Sequence, residues 1–292
     1  MILQKQFKEK VRSTVLESRS RFGGSDSAFA KSLGIPAPSF SRLKSGDTEK
    51  LLSDSIWISL GRQFEVKTDE RNWNVARTKV YTEIEDNLQF CKEYSKSMIL
   101  VDNCGIGKTF CARHIIKKMP NAFYIDCSQA KRRMEFIRLL AKTIGIDNNG
   151  KIVEIKANIK YALNLFEKPI VVLDEAGDLD YGAFLDLKEL WNGTTGRTGW
   201  YMMGADGLRD KVEKGINRRK VGYAEIFSRF SDEFITLTPY GKADRDQFNM
   251  NLIGAVATVN AKNKNEVPQL VRKCMKKDHT LRYLETLIQL GA

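Results

Sequence analysis

One segment constrains this chain more than any other: the run DNCGIGKT at residues 102–109. An apolar, strand-like run at 98–101 precedes it, and a predicted helix at 110–118 follows it. Gly105 and Gly107 allow the backbone to curl until its N–H groups face phosphate oxygens. A strand, a glycine-rich loop and a helix in this order predict a phosphate-binding loop, or P-loop.

The same loop provides reactive side chains. We expect Lys108 to reach the β- and γ-phosphates of a nucleotide and the Thr109 hydroxyl to ligate Mg²⁺, so ATP and Mg²⁺ are the expected cofactors. The full pattern has a glycine where this chain has Asp102, which leaves open a somewhat altered loop. The residues expected to contact the nucleotide are Asn103, Cys104, Gly105, Ile106, Gly107, Lys108, Thr109 and Phe110.

A second acidic motif lies downstream, in IVVLDEAGDLD. The apolar run 170–173 predicts a buried strand that ends in two carboxylates, Asp174 and Glu175. Asp174 is expected to hold Mg²⁺ through water, and Glu175 to polarise the attacking water. The bland alternative is a pair of acids at a strand end. Lys108 and Glu175 are therefore the first candidates for catalytic residues.

From residue 75 onward, short apolar runs alternate with amphipathic helices, which predicts a parallel α/β sheet. The expected strands are 98–101, 122–125, 170–173, 200–203 and 234–237. After Pro239 the pattern is helical to the end of the chain. The apolar runs are too short to span a membrane, and the first residues lack a signal-peptide pattern, so we expect a cytoplasmic protein without a membrane partner.

The first 65 residues predict a separate helical domain. The segment SDSAFAKSLGIPAPSFSRLKSG resembles a repressor-type helix-turn-helix, with the turn at Gly34. Its second helix offers Arg42 and Lys44 to DNA, beside Ser39 and Ser41. The alternative is a plain helical bundle. A polar segment, 66–75, is the predicted linker.

The net charge of +12 favours a polyanionic partner, most simply nucleic acid. Three cations, Lys131, Arg132 and Arg133, lie where a helix is expected to start. They oppose the positive end of that helix dipole, so phosphate contact explains them better than helix stability does. Residues 211–220 form a second basic segment. A solvated charged surface is the alternative for both segments.

The order of these motifs resembles the AAA+ ATPases. The resemblance implies an α/β AAA+ P-loop ATPase core at 76–238, with a parallel five-stranded sheet, and a helical lid at 239–292, behind a small all-α helix-turn-helix domain at 1–65. It also implies a sensor at Asp206, where the family usually has a polar residue such as Asn. Arg229 would be an arginine finger that completes a neighbour's site, and Arg282 the second sensor that contacts the nucleotide.

Within the AAA+ proteins, the layout resembles the transposition ATPases that include the B protein of phage Mu, TnsC and IstB. That resemblance implies a homo-oligomer, a helical filament or ring, that binds double-stranded DNA and recruits or activates a transposase. Two alternatives remain: a replication ATPase of the helicase-loader or initiator type, and a nucleotide-gated transcription regulator that reads an operator. The sequence leaves the transposase, the filament geometry and any target preference open.

Overall fold

A computed structural model of the chain describes residues 5–20, 22, 25–64, 66, 73–276 and 280–291. The chain divides into two compact units, Met1–Trp73 and Asn74–Ala292. Residues 67–72 of the predicted linker lie outside the described residues. Within the described ranges, the helices are too short or too polar to span a lipid bilayer.

The first unit is a cluster of short helices. Its helices are α1 Lys5–Ser20, α2 Asp26–Ser32, α3 Ala37–Lys44 and α4 Asp54–Gln63. The Ser25 hydroxyl caps α2 by accepting a hydrogen bond from the Ala28 amide, and Gly34, at φ +70°, turns the chain toward α3. The buried rings of Phe29 and Phe40 lock α2 against α3, with centroids 5.4 Å apart.

The second unit is built on five parallel strands. They are β1 Ser97–Val101, β2 Ala122–Asp126, β3 Ile170–Asp174, β4 Gly199–Gly204 and β5 Phe234–Ile235, in the order β2-β3-β4-β1-β5. Because all of the pairings are parallel, the strands end at one edge of the sheet. This carboxyl edge carries the predicted motifs, as expected for an open α/β sheet.

Helices cover both faces of this sheet. The helices before the last strand are α5 Lys79–Tyr94, α6 Lys108–Ile116, α7 Arg133–Ile144, α8 Ile152–Leu165, α9 Tyr181–Gly193, α10 Asp206–Asn217 and α11 Tyr223–Arg229. The helices after it are α12 Lys242–Asn260, α13 Val267–Met275 and α14 Leu281–Leu290. These last three helices lie in the segment 239–292, which was predicted to be the helical lid.

Alternate strand residues point to opposite faces and build two cores. Val171 and Leu173 pack into the core formed with α7 to α11. Ile170 and Val172 pack into the core formed with α5, α6 and α12. The strands are therefore apolar on both faces, which is why they read as continuous apolar runs.

Two boundaries and two further helices differ from the prediction. The strand expected at 234–237 ends at Ile235, because the amides of Leu237 and Thr238 donate to a side chain, Asp102, and not to a strand. Helix α5 and helix α11 were not predicted. Helix α7 begins at Arg133, so of the three adjacent cations only Arg133 lies within the helix.

Candidate active site

The P-loop connects β1 to α6 with the backbone that phosphate binding requires. Gly105 and Gly107 have φ of +80° and +96°, in the left-handed region that favours glycine. Helix α6 begins at Lys108, directly after Gly107, so its first amides are oriented toward the loop. Such a helix N-terminus attracts anions through its free amides and its dipole.

Lys108 is held inside this loop by backbone oxygens. Its Nζ donates to the carbonyls of Asp102 and Asn103, each at 2.7 Å, and the residue is only 9% exposed. Burial lowers the pKa of Lys108, while Asp102, Asp174 and Glu175 act in the opposite direction. The ammonium is therefore positioned by neutral groups, and it forms no ion pair with a carboxylate among the described residues.

Asp102 stands where the usual pattern has glycine, and its φ is not in the left-handed region. Its carboxylate is buried and accepts hydrogen bonds from the Leu237 and Thr238 amides, at 2.6 and 2.8 Å. The Thr238 hydroxyl and the Asn103 amide donate to its other oxygen, both at 2.6 Å. The position thus tolerates a side chain, and here the side chain fixes the loop to the segment after β5.

The acidic pair lies at the end of β3. Asp174 is buried, and its carboxylate accepts hydrogen bonds from the Tyr124 hydroxyl and the Glu175 amide. Glu175 has φ +50°, an unfavourable conformation for a residue with a side chain, of the kind that concentrates at functional sites. Burial first, and then the charge of Asp174, raise the pKa of Glu175.

Sequence reasoning missed the groups that orient Asp174. Tyr124 comes from β2, whose Asp126 is the register partner of Asp174. Arg113 of α6 lies over the Tyr124 ring, 4.9 Å from its centroid, and its Nη2 is 3.4 Å from an Asp126 oxygen. The signal was a tyrosine and an aspartate on the strand next to the acidic motif, but only the strand order shows that they meet.

The predicted magnesium ligands fit that ion chemically. Thr109 offers a hydroxyl and Asp174 a carboxylate, and hard oxygen ligands of this kind are what Mg²⁺ prefers. Thr109 is exposed in the first turn of α6, while Asp174 is fixed by two hydrogen bonds. Few protein ligands suffice, because Mg²⁺ bound with a nucleotide keeps several waters and phosphate oxygens.

The lid contacts the P-loop directly. The Leu281 amide donates to the Gly105 carbonyl at 3.2 Å, and a Cβ on Gly105 would lie only 2.6 Å from the Thr280 side chain. Arg282, the next residue of α14, is exposed. The start of α14 therefore places Arg282 beside the loop. Neither Thr280 nor Leu281 was among the predicted site residues.

Asp206 lies just beyond the end of β4, next to the P-loop strand. The amide of Asp102 donates to the Gly204 carbonyl at 3.3 Å, which ties the two strand ends together. The Asp206 side chain is 73% exposed and lies 3.4 Å from Arg209. It is the first residue of α10, where a carboxylate is favourable for the helix dipole.

Comparison with known proteins addresses the fold. The family described as "AAA domain" matches residues 91–212. The structure of the Aeropyrum pernix Orc1 protein in complex with DNA is similar, with a TM-score of 0.57 and 14% identity. The match covers 78% of this chain and 63% of that chain. The fold is that of an AAA+ P-loop ATPase. No curated protein matches the chain.

In this AAA+ fold, Arg229 lies at the end of the sheet opposite the P-loop. Its guanidinium stacks on the Trp191 ring, 5.1 Å from the centroid, and Trp191 donates to the hydroxyl of Ser97, the first residue of β1. A five-residue strand spans about 16 Å. Arg229 is therefore far from the P-loop of its own chain, and its predicted role as a finger requires a second copy.

Two of the three basic residues predicted to contact DNA at 131–133 have partners within the chain. Lys131 pairs with Asp178 at 2.8 Å, and Arg133 holds the buried Asp186 at 2.6 and 3.0 Å. Arg132 is exposed and has no ion pair among the described residues. Carboxylates within the chain therefore offer a second explanation for Lys131 and Arg133, and their contact with DNA stays a prediction.

The other predicted DNA contacts show the same pattern. Arg42 pairs with Asp47, and Lys44 lies 2.6 Å from Asp26, although both cations remain about half exposed. In the second basic segment, Lys211 is turned inward and donates to the carbonyls of Gly177 and Leu179. Arg218 and Arg219 are exposed and have no ion pair among the residues that the structure describes.

Proposed function

We propose that this chain is an ATP-hydrolysing AAA+ protein that assembles with copies of itself and binds duplex DNA while ATP is bound. One observation supports the ATPase part: Lys108, Asp174 and Glu175 converge at the carboxyl edge of the sheet. Lys108 lies in the loop after β1, Asp174 is the last residue of β3, and Glu175 follows it. Strands β1 and β3 flank β4, and both carboxylates act electrostatically on Lys108.

Each residue has a distinct task in hydrolysis. Lys108 would leave the Asp102 and Asn103 carbonyls to bind the β- and γ-phosphates. Glu175 would accept a proton from the attacking water, and burial and the charge of Asp174, which raise its pKa, make it a stronger base. Mg²⁺ held by Thr109 and Asp174 would neutralise charge on the phosphates. Tyr124 would keep the Asp174 carboxylate oriented.

The DNA part of the proposal is supported by two basic turns that meet around Tyr181, the first residue of α9. The Asp180 amide donates to the Lys131 carbonyl at 2.8 Å, which brings the 131–133 turn to this helix start. The Tyr181 hydroxyl donates to the Val221 carbonyl at 3.0 Å, and the Lys220 ammonium lies 4.1 Å from the ring centroid. Segments almost 90 residues apart in sequence thus form one surface.

Three arginines of this surface, Arg132, Arg218 and Arg219, carry charge that the described carboxylates do not pair. A few phosphate contacts per chain give weak binding, so copies assembled by ATP would add their contacts along one duplex. Binding through phosphates carries no sequence information, so we expect little sequence preference. The similarity to a structure that contains DNA supports this part of the proposal.

We further propose that the assembly delivers target DNA to a transposase. The support is the layout: a small helical unit ahead of a single AAA+ unit, as in the transposition ATPases. A helicase-loader role predicts stimulation of a helicase, and an operator-reading regulator predicts a dimer on a palindrome. Electron microscopy with duplex DNA and a slowly hydrolysed ATP analogue distinguishes a continuous filament from such a dimer.

The direct test compares phosphate release by the wild type, Glu175→Gln and the matched control Glu213→Gln, an exposed glutamate on α10. We expect Glu175→Gln to lower turnover by about 100-fold or more while ATP still binds, since an amide cannot take the proton. ATP-dependent DNA complexes of this variant should persist. Near-normal turnover in Glu175→Gln would place the base elsewhere.

A further inference from the structure

Asp102 replaces the usual P-loop glycine, and its carboxylate makes hydrogen bonds that have no part in the proposed hydrolysis steps. Asp102 is 3% exposed and directly follows β1. A glycine is usual here, but the backbone of Asp102 does not require one, because its φ is not in the left-handed region. The carboxylate must therefore be explained by what it binds.

Its two oxygens accept hydrogen bonds from two parts of the chain. One bond comes from the loop itself, from the Asn103 amide. The other three come from Leu237 and Thr238, far along the sequence and just before Pro239 and lid helix α12. Charge-assisted bonds of this kind are strong, and burial protects them from water. A glycine would leave these two amides without that acceptor.

A second attachment joins the same loop to the far end of the lid. The Gly105 carbonyl accepts from the Leu281 amide, at the start of the helix that carries Arg282. The loop is thus fixed to the segment that leads into the lid and to the lid's last helix. Between these attachments, the Lys108 ammonium bonds to the Asp102 carbonyl. When Lys108 turns toward a phosphate it must leave that carbonyl, and the carboxylate of the same residue keeps the loop in place.

We propose that Asp102 is a positioning residue that fixes the P-loop relative to the lid, so that a nucleotide on the loop meets Arg282 in a productive geometry. This role rests on the proposed ATPase function. It concerns turnover more than binding, because the loop amides and Lys108 that bind phosphate are unchanged when Asp102 is replaced. Misplacement of reacting groups by about 1 Å can cost a factor on the order of 100 in rate.

The test is a graded series of variants. Asp102→Gly restores the usual glycine and removes all four bonds. Asp102→Asn keeps one carbonyl oxygen that accepts from the Leu237 and Thr238 amides. Its NH2 group, however, faces the Asn103 amide, and two donors cannot bond to each other. Thr238→Val removes only the hydroxyl bond. We expect kcat to fall about tenfold or more in Asp102→Gly, less in Asp102→Asn and least in Thr238→Val, while the Kd for ATP stays within about threefold.

Amide hydrogen exchange gives a second readout that does not depend on turnover. In the wild type, ATP should slow exchange in the loop and also at Leu237, Thr238 and the start of α14. In Asp102→Gly, ATP should protect the loop alone. If Asp102→Gly does not fold, Asp102→Asn and Thr238→Val carry the same comparison, with smaller effects.

Three results overturn the role. Unchanged kcat in Asp102→Gly with normal wild-type turnover overturns the role of Asp102 and leaves the ATPase proposal intact. Parallel losses of ATP affinity, turnover and thermal stability across the series show a purely structural residue. A wild type that binds ATP but does not hydrolyse it overturns the proposed function, and this role with it.

Discussion

The cation of the P-loop and the cations of the turn at 131–133 differ in what holds them. Lys108 is fixed by two neutral carbonyls and keeps an unpaired positive charge inside a curled backbone. Lys131 and Arg133 are fixed by carboxylates, which already neutralise them. A cation held by carbonyls is preorganised for an anion, whereas a cation in an ion pair must first break that pair.

Arg132 and Arg229 differ in exposure and in what surrounds their guanidinium groups. Arg132 is exposed, and no carboxylate among the described residues forms an ion pair with it, so none of them competes with a phosphate for its charge. Arg229 rests on a ring, and its Nη1 is buried without a hydrogen-bond partner in the described structure. A buried donor without a partner is costly, and such groups often have a functional explanation.

The largest effect is expected for Arg229→Ala. If the guanidinium completes a neighbouring site, turnover should fall by about 1000-fold while each chain still binds ATP, as for arginine fingers in general. Mixing this variant with Glu175→Gln should restore part of the activity at mixed interfaces. Arg197→Ala, an exposed arginine before β4, is the control. Full turnover by a dilute wild-type monomer would refute a role in trans.

Lys108→Ala should lower ATP affinity by about 100-fold, because the loop loses its only cation at the β- and γ-phosphates, worth about 3 kcal/mol. Lys117→Ala, an exposed lysine just after α6, should leave affinity unchanged. Binding of a fluorescent ATP analogue measures both. Equal affinity in Lys108→Ala and the wild type would show that the nucleotide binds elsewhere.

The strand–loop–helix order at 102–109 could be predicted because phosphate binding imposes strict sterics on glycine and lysine positions. The sheet followed from continuous apolar runs. The role of Asp102 could not be predicted from the sequence, since its partners Leu237 and Thr238 are 135 and 136 residues away. The same holds for Tyr124, which meets Asp174 only because β2 lies beside β3.

The surroundings of the two basic segments were the feature that the sequence predicted least well. Charge counts carry no geometry, so they could not show that Asp178 and Asp186 pair with Lys131 and Arg133. Nor could they show that the turns at 131–133 and 218–221 meet around Tyr181. Helix α7 begins at Arg133 for a local reason, because the Glu135 side chain accepts a hydrogen bond from the Arg132 amide and caps the helix there.

The paired and unpaired cations should respond differently to substitution. Arg133→Ala should destabilise the fold by about 1–2 kcal/mol, because the buried Asp186 loses two of its hydrogen bonds. Arg132→Ala should leave stability within about 0.5 kcal/mol and weaken DNA binding several-fold. Thermal unfolding and duplex-DNA titrations test both. The reverse pattern would mean that pairing with a carboxylate does not prevent phosphate contact.

The smallest effect concerns pH. Burial and Asp174 raise the pKa of Glu175, so its carboxyl is still protonated at pH values where an ordinary glutamate is ionised. Turnover should therefore rise with pH through this elevated pKa. The same shift means that protonation favours the folded state, and that stabilisation is lost as pH rises through the folded-state pKa. The measurement is kcat as a function of pH. If kcat falls at acidic pH with the pKa of an ordinary glutamate, the assignment of Glu175 as the base is contradicted.

Duplex-DNA affinity, measured against salt concentration, shows whether ATP assembles the chain on DNA through cations that have no ion pair. The proteins are the wild type, the Arg132→Ala/Arg218→Ala/Arg219→Ala variant and the Arg42→Ala/Lys44→Ala variant, each with and without a slowly hydrolysed ATP analogue. We predict tight, steeply salt-dependent binding only with the analogue, and a shallower slope in the triple variant alone. If DNA binding is the same with and without the analogue and is lost only in Arg42→Ala/Lys44→Ala, the chain does not assemble in this way, and an operator-reading regulator is favoured.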